Sequence, residues 1–504
     1  MNNKILLPIV ICTVGMLFGQ TRMFEHNLSV KTFGATGDGR TDDTAAIQSG
    51  LNAACGERFQ ISTISGAGLS PIVVTTAAPH TFTNGASLNV SGAAGNTNAN
   101  GRWSATVLSS TAIALYTDDG QPTIGNADYT SGGTVTSDTS HLHFPAGTYI
   151  INSPLVTGCP MFLSGDGPTT SVIFQLHQYS GMHGIVANHS LRMQDIAVST
   201  TPLTVDYGMV AVFGGTSAPM LGEAFTFVRF HSSGFNFGMD INGTSETDVL
   251  ASIVVDDCDI SVGTGDNAVS QPINAANALF LTVQNSTLTG NSVPGGAVKN
   301  DHAIYTLAIR GVLIRNNLIR NHGNSAIKLL QGGFSAPSCP TIQNYTSWTI
   351  DHNRIEGSRM AIAGYSFCAL VMPSIVISNN QIANISDTYL GDYAAVYVQS
   401  NCQSNMVDVV SSGNTFTNLG LGGIVLASQI QADTACAATT AQGTISNFTS
   451  TGDTFVNWSL ASAGTFPAIN SAGQNLVHAS VSNLSADSAT GNAALNLSAF
   501  ASVN

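Results

Sequence analysis

Residues 30–54 read VKTFGATGDGRTDDTAAIQSGLNAA, and this stretch decides the fold. Gly37-Asp38-Gly39 is a tight-turn signature, since glycine takes left-handed backbone angles freely and Asp closes turns with its own side chain. Asp42 or Asp43 then stands where an N-cap acceptor belongs, ahead of a helix that starts near Thr44. Ala45, Ile47 and Leu51 fall along one side of that helix, so it has a face to bury. Asp38, Asp42 and Asp43 are read as turn and cap residues.

Outward from this block the composition is that of an all-β chain. Only 9% of the 504 residues are charged, against about 25% in typical soluble proteins. Glycine is abundant, with 51 residues, and Ser, Thr, Asn, Val and Ile dominate after residue 140, where a helical protein would use Glu, Lys, Ala and Leu. A formal charge of -14 excludes a general nucleic-acid binder, which needs a basic footprint.

A second block, HLHFPAGTYIINSPLVTGCPMFLSGDGPTTSVI (141–173), completes the pattern. Together the two blocks resemble the opening of the pectate-lyase-like superfamily, which includes pectate lyases, polygalacturonases, exo-glucanases, alginate epimerases and phage tailspikes. The resemblance implies a right-handed, single-stranded parallel β-helix whose N-terminal end is capped by the helix near Thr44, and a polysaccharide as the partner. It speaks to fold more than to reaction. In such proteins the two blocks nearly touch; here residues 65–137 intervene, with short alternating runs between Gly/Asn turns. They are read as a small inserted β module with Trp103 as its core residue. The β-helix domain is then discontinuous, 28–64 and 138–504.

Residues 1–20 carry Lys4 and then an apolar run from Ile5 to about Gly19, the length of a signal-peptide core and short for a membrane span. The expected location is secreted, periplasmic or cell-surface, with no stable membrane span after processing. Removal of Cys12 would leave Cys55, Cys159, Cys258, Cys339, Cys368, Cys402 and Cys436. Cys339 with Cys368 and Cys402 with Cys436 are local pairings, although spacing does not fix connectivity. Seven thiols leave one odd.

Beyond residue 190 the chain repeats loosely. LTVQNSTL (281–288), VLIRNNLI (312–319), WTIDHNRI (348–355), IVISNNQI (375–382) and DVVSSGNTF (408–416) overlay as strand, polar corner and inward apolar residue. The corner reads Ser286, Asn317, Asn353, Asn380 and Asn414. Stacked inward Asn side chains satisfy corner backbone groups. Cys258 falls at the same position and is expected to be the buried, unpaired thiol.

Fifteen Lys and Arg serve the whole chain, and seven lie between 299 and 359: Lys299, Arg310, Arg315, Arg320, Lys328, Arg354 and Arg359. Only Asp301, Asp351 and Glu356 oppose them there, and no Lys or Arg follows. A basic stripe on an acidic protein suits an anionic, uronate-containing glycan. The overlay also puts Arg315 beside Asp351 and Arg320 beside Glu356, so cross-coil ion pairs are the structural alternative. HAIYTL (302–307), SAIKLL (325–330), MAIAGY (360–365) and AAVYVQ (394–399) overlay in turn, directing Ile304, Ile327, Ile362 and Val396 inward and Tyr305, Lys328, Ala363 and Tyr397 outward. The small Ala363 is expected to leave a groove.

His302 and Asp301 precede this strand, near Asp266 of the preceding coil. These types suit β-elimination: Lys328 or Arg315 neutralises the uronate carboxylate, His302 takes the α-proton and Tyr305 protonates the leaving oxygen. Arg315, Arg320, Lys299 and Tyr397 are the candidate substrate-binding residues. Glycoside hydrolysis would need two carboxyls from Asp256, Asp257, Asp259, Asp266 and Asp301. Thr264-Gly265-Asp266-Asn267 only faintly echoes the polygalacturonase aspartates, and the Gly-His-Gly motif is missing. No spaced ligand motif supports Ca²⁺, and no cofactor is expected. The remaining alternative is a non-catalytic tailspike-like or adhesin-like glycan-binding protein, for which the resemblance implies a homotrimer.

Overall fold

The fold was obtained as a computed structural model. It describes residues 28–504 apart from 56–57, 81, 83, 118, 138–139, 177–181, 202–207, 214–220, 244–248, 263–268, 292–299, 332–344, 367–370, 387–393, 402–403, 430–442, 459, 461–465, 474 and 488–493. The segment 1–20 expected to direct export, Asp266 with its neighbours Thr264, Gly265 and Asn267, Lys299, and Cys339, Cys368, Cys402 and Cys436 therefore lie outside the described residues. Among the described residues no helix is long and apolar enough to cross a membrane.

Two compact units emerge, Arg58–Asp138 and a larger one formed by Asn27–Glu57 with Thr139–Asn504. The larger unit is a parallel β-helix: each strand pairs in parallel with strands one coil before and one coil after. Its helix, Thr44–Cys55, begins after Asp42, whose carboxylate accepts from Thr44 N at 3.0 Å. Asp43 instead turns back and accepts from Thr36 N and Gly37 N at 2.7 and 3.0 Å, tying down the preceding turn. Gly37 has φ +60°, and a Cβ there would stand 2.7 Å from the Tyr149 ring, so only glycine fits. The buried helix face is Ile47, Gly50, Leu51 and Ala54; Ala45, expected on that side, is exposed, because about 100° per residue turns it, with Ser49, to the opposite side from Ile47. Cys55 is disulfide-bonded to Cys159, pinning the helix to the first coils. This pairing spans 104 residues of sequence and has no local spacing signal.

Inside the coils, apolar side chains stack on their counterparts above and below. The Phe416 and Phe455 rings are stacked, 4.5 Å apart and nearly parallel. At one corner the expected polar ladder is complete. Asn317 N and Nδ2 donate to Asn353 Oδ1, Asn353 N and Nδ2 to Asn380 Oδ1, and Asn380 N and Nδ2 to Asn414 Oδ1, all between 2.9 and 3.0 Å. Ser286 joins on one side, its N donating to Asn317 Oδ1, and Cys258 N donates to Ser286 Oγ. Asp453, unforeseen from the sequence, closes the other side by accepting from Asn414 N and Nδ2 at 2.9 Å. Cys258 is buried and unpaired, as its place in the ladder requires, and burial pushes its thiol up to about 12. The residue before each corner is left-handed, with φ near +54° at Asp257, Asn285, Asn316, His352 and Asn379. Asn and Asp tolerate that conformation better than other side chains.

The smaller unit is a closed six-stranded antiparallel barrel. It starts at Arg58, not residue 65, because Arg58–Ile64 pairs with both Ile72–Thr76 and Thr134–Ser137. Its core is aliphatic, with Ile72, Val74, Leu88, Ile113, Leu115 and Val135 fully enclosed. Trp103 packs only against the edge of that core, where its indole N–H reaches the Ala99 carbonyl at 2.7 Å. The indole needs a polar partner, which the barrel centre does not offer.

Candidate functional site

On one face of the helix, strands Phe237–Asn242, Val269–Gln284, Ile304–Arg315, Ser325–Gln331, Met360–Ser366 and Ala394–Asn401 stack in parallel. Register pairs Asp240 with Asn274, Asn274 with Tyr305, Tyr305 with Lys328, Lys328 with Ala363 and Ala363 with Tyr397. The last three steps are those of the sequence overlay. Met239, Ile273, Ile304, Ile327, Ile362 and Val396 face inward and are buried, so alternation turns the first set outward.

The outward ladder has a cationic and aromatic centre. Lys328 Nζ lies 5.7 Å from the Tyr305 ring centroid and 6.0 Å from that of Tyr365, within cation–π range of both. Tyr305 is half-buried, and burial raises its phenol above the usual value. Tyr397 and Ala363 are buried, so no open groove forms at Ala363: the Tyr365 ring, two residues on along the same pleat, packs against Tyr397 at 5.8 Å.

His302 is completely buried. Its Nδ1 donates to the Ser325 carbonyl at 2.8 Å, and its ring lies 5.4 Å from that of Tyr305. Burial first, and the nearby Lys328 charge second, push its pKa down to about 3, so it is neutral at working pH. Asp301 is equally buried and accepts from His322 Nδ1 at 3.0 Å and Gly323 N at 2.8 Å.

Sequence reasoning missed Asp240. It lies two coils before Tyr305 on the same ladder, and its Oδ1 accepts from Asn242 Nδ2 and from Asn274 Nδ2 at 2.7 Å. Burial outweighs those two donors and raises its pKa to about 6. Extending the overlay two coils backward from Tyr305, through QPINAANA to FGMDIN, would have found it.

The remaining basic residues do not form one stripe. Lys328 belongs to the face just described; Arg315 ends a strand of a second face, in register with Asp351; Arg320 and Arg354 belong to a third, where Arg320 is in register with Glu356. The coil bends between Leu307 and Val312 and again between Arg315 and Leu318, so neighbours in sequence part in space. The expected ion pairs are replaced by others. Arg315 Nε donates to Gln284 at 3.0 Å and Arg320 Nε to Thr289 at 3.2 Å, while Asp351 engages His352 and Glu356 engages Arg354. Among the described residues no three His, Cys, Asp or Glu side chains are grouped to hold a metal ion.

Residues 27–207 match the family model described as "Rhamnogalacturonase A/epimerase, pectate lyase-like". No curated protein matches the chain. Among solved structures, the chain is similar to the A-module of the mannuronan C-5 epimerase AlgE6 of Azotobacter vinelandii, with TM-score 0.50 and 13% identity over 94% of this chain and 99% of that one. The AlgE4 A-module of the same organism follows at TM-score 0.47 and 14% identity, over 95% and 99% of the two chains. PfbA, a surface adhesin of Streptococcus pneumoniae, matches at TM-score 0.43 and 13% identity, over 92% of each chain. At these identities the likeness is one of fold. Residues 27–207 thus carry the pectate lyase-like family match, and the larger unit as a whole has a parallel β-helix fold of the kind seen in the AlgE6 A-module.

Proposed function

We propose that this is an exported polysaccharide-active protein that cleaves an acidic, uronate-containing glycan by β-elimination on the face carrying Asp240, Asn274, Tyr305 and Lys328. The observation that carries the reading is the Lys328 ammonium held between two tyrosine rings, three coils from a carboxyl group whose pKa is raised to about 6. Coils repeat at about 4.8 Å, comparable to one sugar unit, so a chain laid along the helix axis meets one outward side chain per residue.

Lys328 offsets the uronate carboxylate and acidifies the α-proton; Tyr305 takes that proton as its own phenol proton passes to the leaving oxygen and the glycosidic carbon–oxygen bond breaks, while Asp240, two coils away, meets a neighbouring sugar unit. His302, fully enclosed, is assigned a positioning role beneath Tyr305 instead of the role of base, and Asp301 supports it through the adjoining corner. Asp266 and Lys299 stay candidates for the acid and the carboxylate-binding cation. Arg315, Arg320 and Tyr397 are not assigned to substrate, since the first two belong to other faces and the third is buried. The Cys55–Cys159 disulfide supports export, because such bonds persist in oxidising compartments.

The burial of His302 favours a second reading, non-catalytic glycan binding of the adhesin or tailspike kind. Incubation with a panel of acidic glycans, followed by the absorbance of unsaturated uronates, separates the two. Lys328→Met and Tyr305→Phe should each lower product formation at least about tenfold. Glycan binding without product from any member of the panel would sink the enzyme reading.

A further inference from the structure

A separate cluster lies on the first coils. Strands Ser140–Phe144 and Met161–Gly165 pair so that His141 faces Phe162 and His143 faces Ser164. His143 Nδ1 is 2.8 Å from Ser164 Oγ, and His143 Nε2 is 3.1 Å from Asp166 Oδ1. His141 Nε2 approaches the same Ser164 Oγ at 2.7 Å.

With His143 neutral, the hydrogen-bond donors and acceptors order the cluster one way. The Asp166 carboxylate accepts, so His143 carries its proton on Nε2 and leaves Nδ1 free to accept. Ser164 then donates its hydroxyl proton to His143 Nδ1 and accepts from His141 Nε2. This is the relation of nucleophile, base and orienting carboxylate in serine hydrolases, with the two imidazole nitrogens in exchanged roles. We infer that Ser164, His143 and Asp166 form an ester-hydrolysing site, selective for small O-acyl groups such as those carried by glycans.

The surroundings are built and reachable. Asp166 is anchored by Ala146 N donating to its Oδ2 at 2.8 Å, and its own N donates to Ser171 Oγ at 2.9 Å. The His143 side chain is 29% exposed and that of Asp166 49%, so the cluster opens to solvent. His141 stacks on Phe162 at 4.4 Å, and Arg192 lies 4.9 Å from the same ring. Register sets Gln194 beside Ser164 on the next coil, where its amide accepts from Arg192 and donates to Asp195, and the His141 imidazole is the group placed to donate at Ser164.

The reaction balances without a co-reactant beyond water. Ser164 Oγ bonds to the acyl carbon while its proton passes to His143 Nδ1. The acyl carbon–oxygen bond to the alcohol breaks, and His143 returns the proton to the departing alkoxide. Water then attacks the acyl-serine, releasing the carboxylic acid and restoring Ser164.

The test uses the full chain with p-nitrophenyl acetate and, separately, a fluorophosphonate probe followed by peptide mass spectrometry. Ester turnover should show an initial burst, and the probe should mark Ser164. Ser164→Ala should lose at least about 100-fold in turnover. Asp166→Asn should lower kcat with KM unchanged, because it acts through the His143 tautomer. An unlabelled Ser164 in the folded wild-type protein, together with turnover no greater than that of Ser164→Ala, would overturn the assignment. The labelling result does not depend on whether any variant folds.

Discussion

Two ladders run along this β-helix, and they differ in what they repeat. The inner corner ladder uses nearly one residue type, from Ser286 through Asn317, Asn353, Asn380 and Asn414 to Asp453; each Asn side chain hydrogen-bonds to the next, and Ser286 joins through its backbone N–H. The outer ladder changes at every step, from Asp240 to Asn274, Tyr305, Lys328, Ala363 and Tyr397. A buried position that must satisfy the same backbone groups in every coil has one solution and keeps it. An outward position has no such demand, so its variety is where specific chemistry has room to arise.

The largest expected effect comes from breaking the inner ladder. Asn353→Ala strands the amide groups of Asn317 in a dry interior and should cost about 4 kcal/mol in urea unfolding, since each unsatisfied buried group costs about 1–3 kcal/mol. A loss below 1 kcal/mol would mean the ladder is dispensable.

Next is Asp240. Its folded pKa of about 6 exceeds the 3.8 of an ordinary aspartate, so the folded state binds more protons between those values. Its contribution is fully present below about pH 4 and is lost as pH rises through about 6, by about 2–3 kcal/mol. Asp240→Asn should therefore match the wild type near pH 4 and exceed it near pH 7.5. Thermal unfolding at both pH values checks this, and a variant less stable at pH 7.5 would contradict it.

Cys258 sharpens the contrast at smaller scale. Its thiol, pushed up to about 12 by burial, should react with a disulfide reagent only at the rate of unfolding, whereas a surface thiol would react at once. Smallest is Arg315→Ala on the outer surface, whose bond to Gln284 is exposed; its effect should stay within about 0.5 kcal/mol by the same urea assay.

What could be read from sequence follows the same division. The Asn corners, the place of Cys258 and the register of Tyr305 over Lys328 over Ala363 over Tyr397 were legible, because a coil repeat fixes which residues stack and which point inward. Side-chain partners were not. Arg315 and Asp351 are adjacent as expected, yet Arg315 takes Gln284 and Asp351 takes His352, choices made by rotamers that register does not dictate. His302 sits next to an outward tyrosine in sequence but turns into the wall, and nothing in the local pattern separates a corner histidine facing solvent from one facing the core. Asp240 and the Ser164 cluster escaped for another reason: their strands lie outside the run of coils whose sequence patterns repeat closely.

The way the corner ladder ends has a consequence for how such a chain lengthens. In every Asn step the donors point toward the following coil and the acceptor toward the preceding one, so the steps are interchangeable, like identical links in a chain with a front and a back. A coil duplicated or excised anywhere between Asn317 and Asn414 would find matching ends. Asp453 is different, because both of its carboxyl oxygens accept, one from Asn414 and the other from Ser450 Oγ at 2.7 Å, and its side chain passes nothing on. It works as a full stop: growth by repetition is open on one side of it and closed on the other.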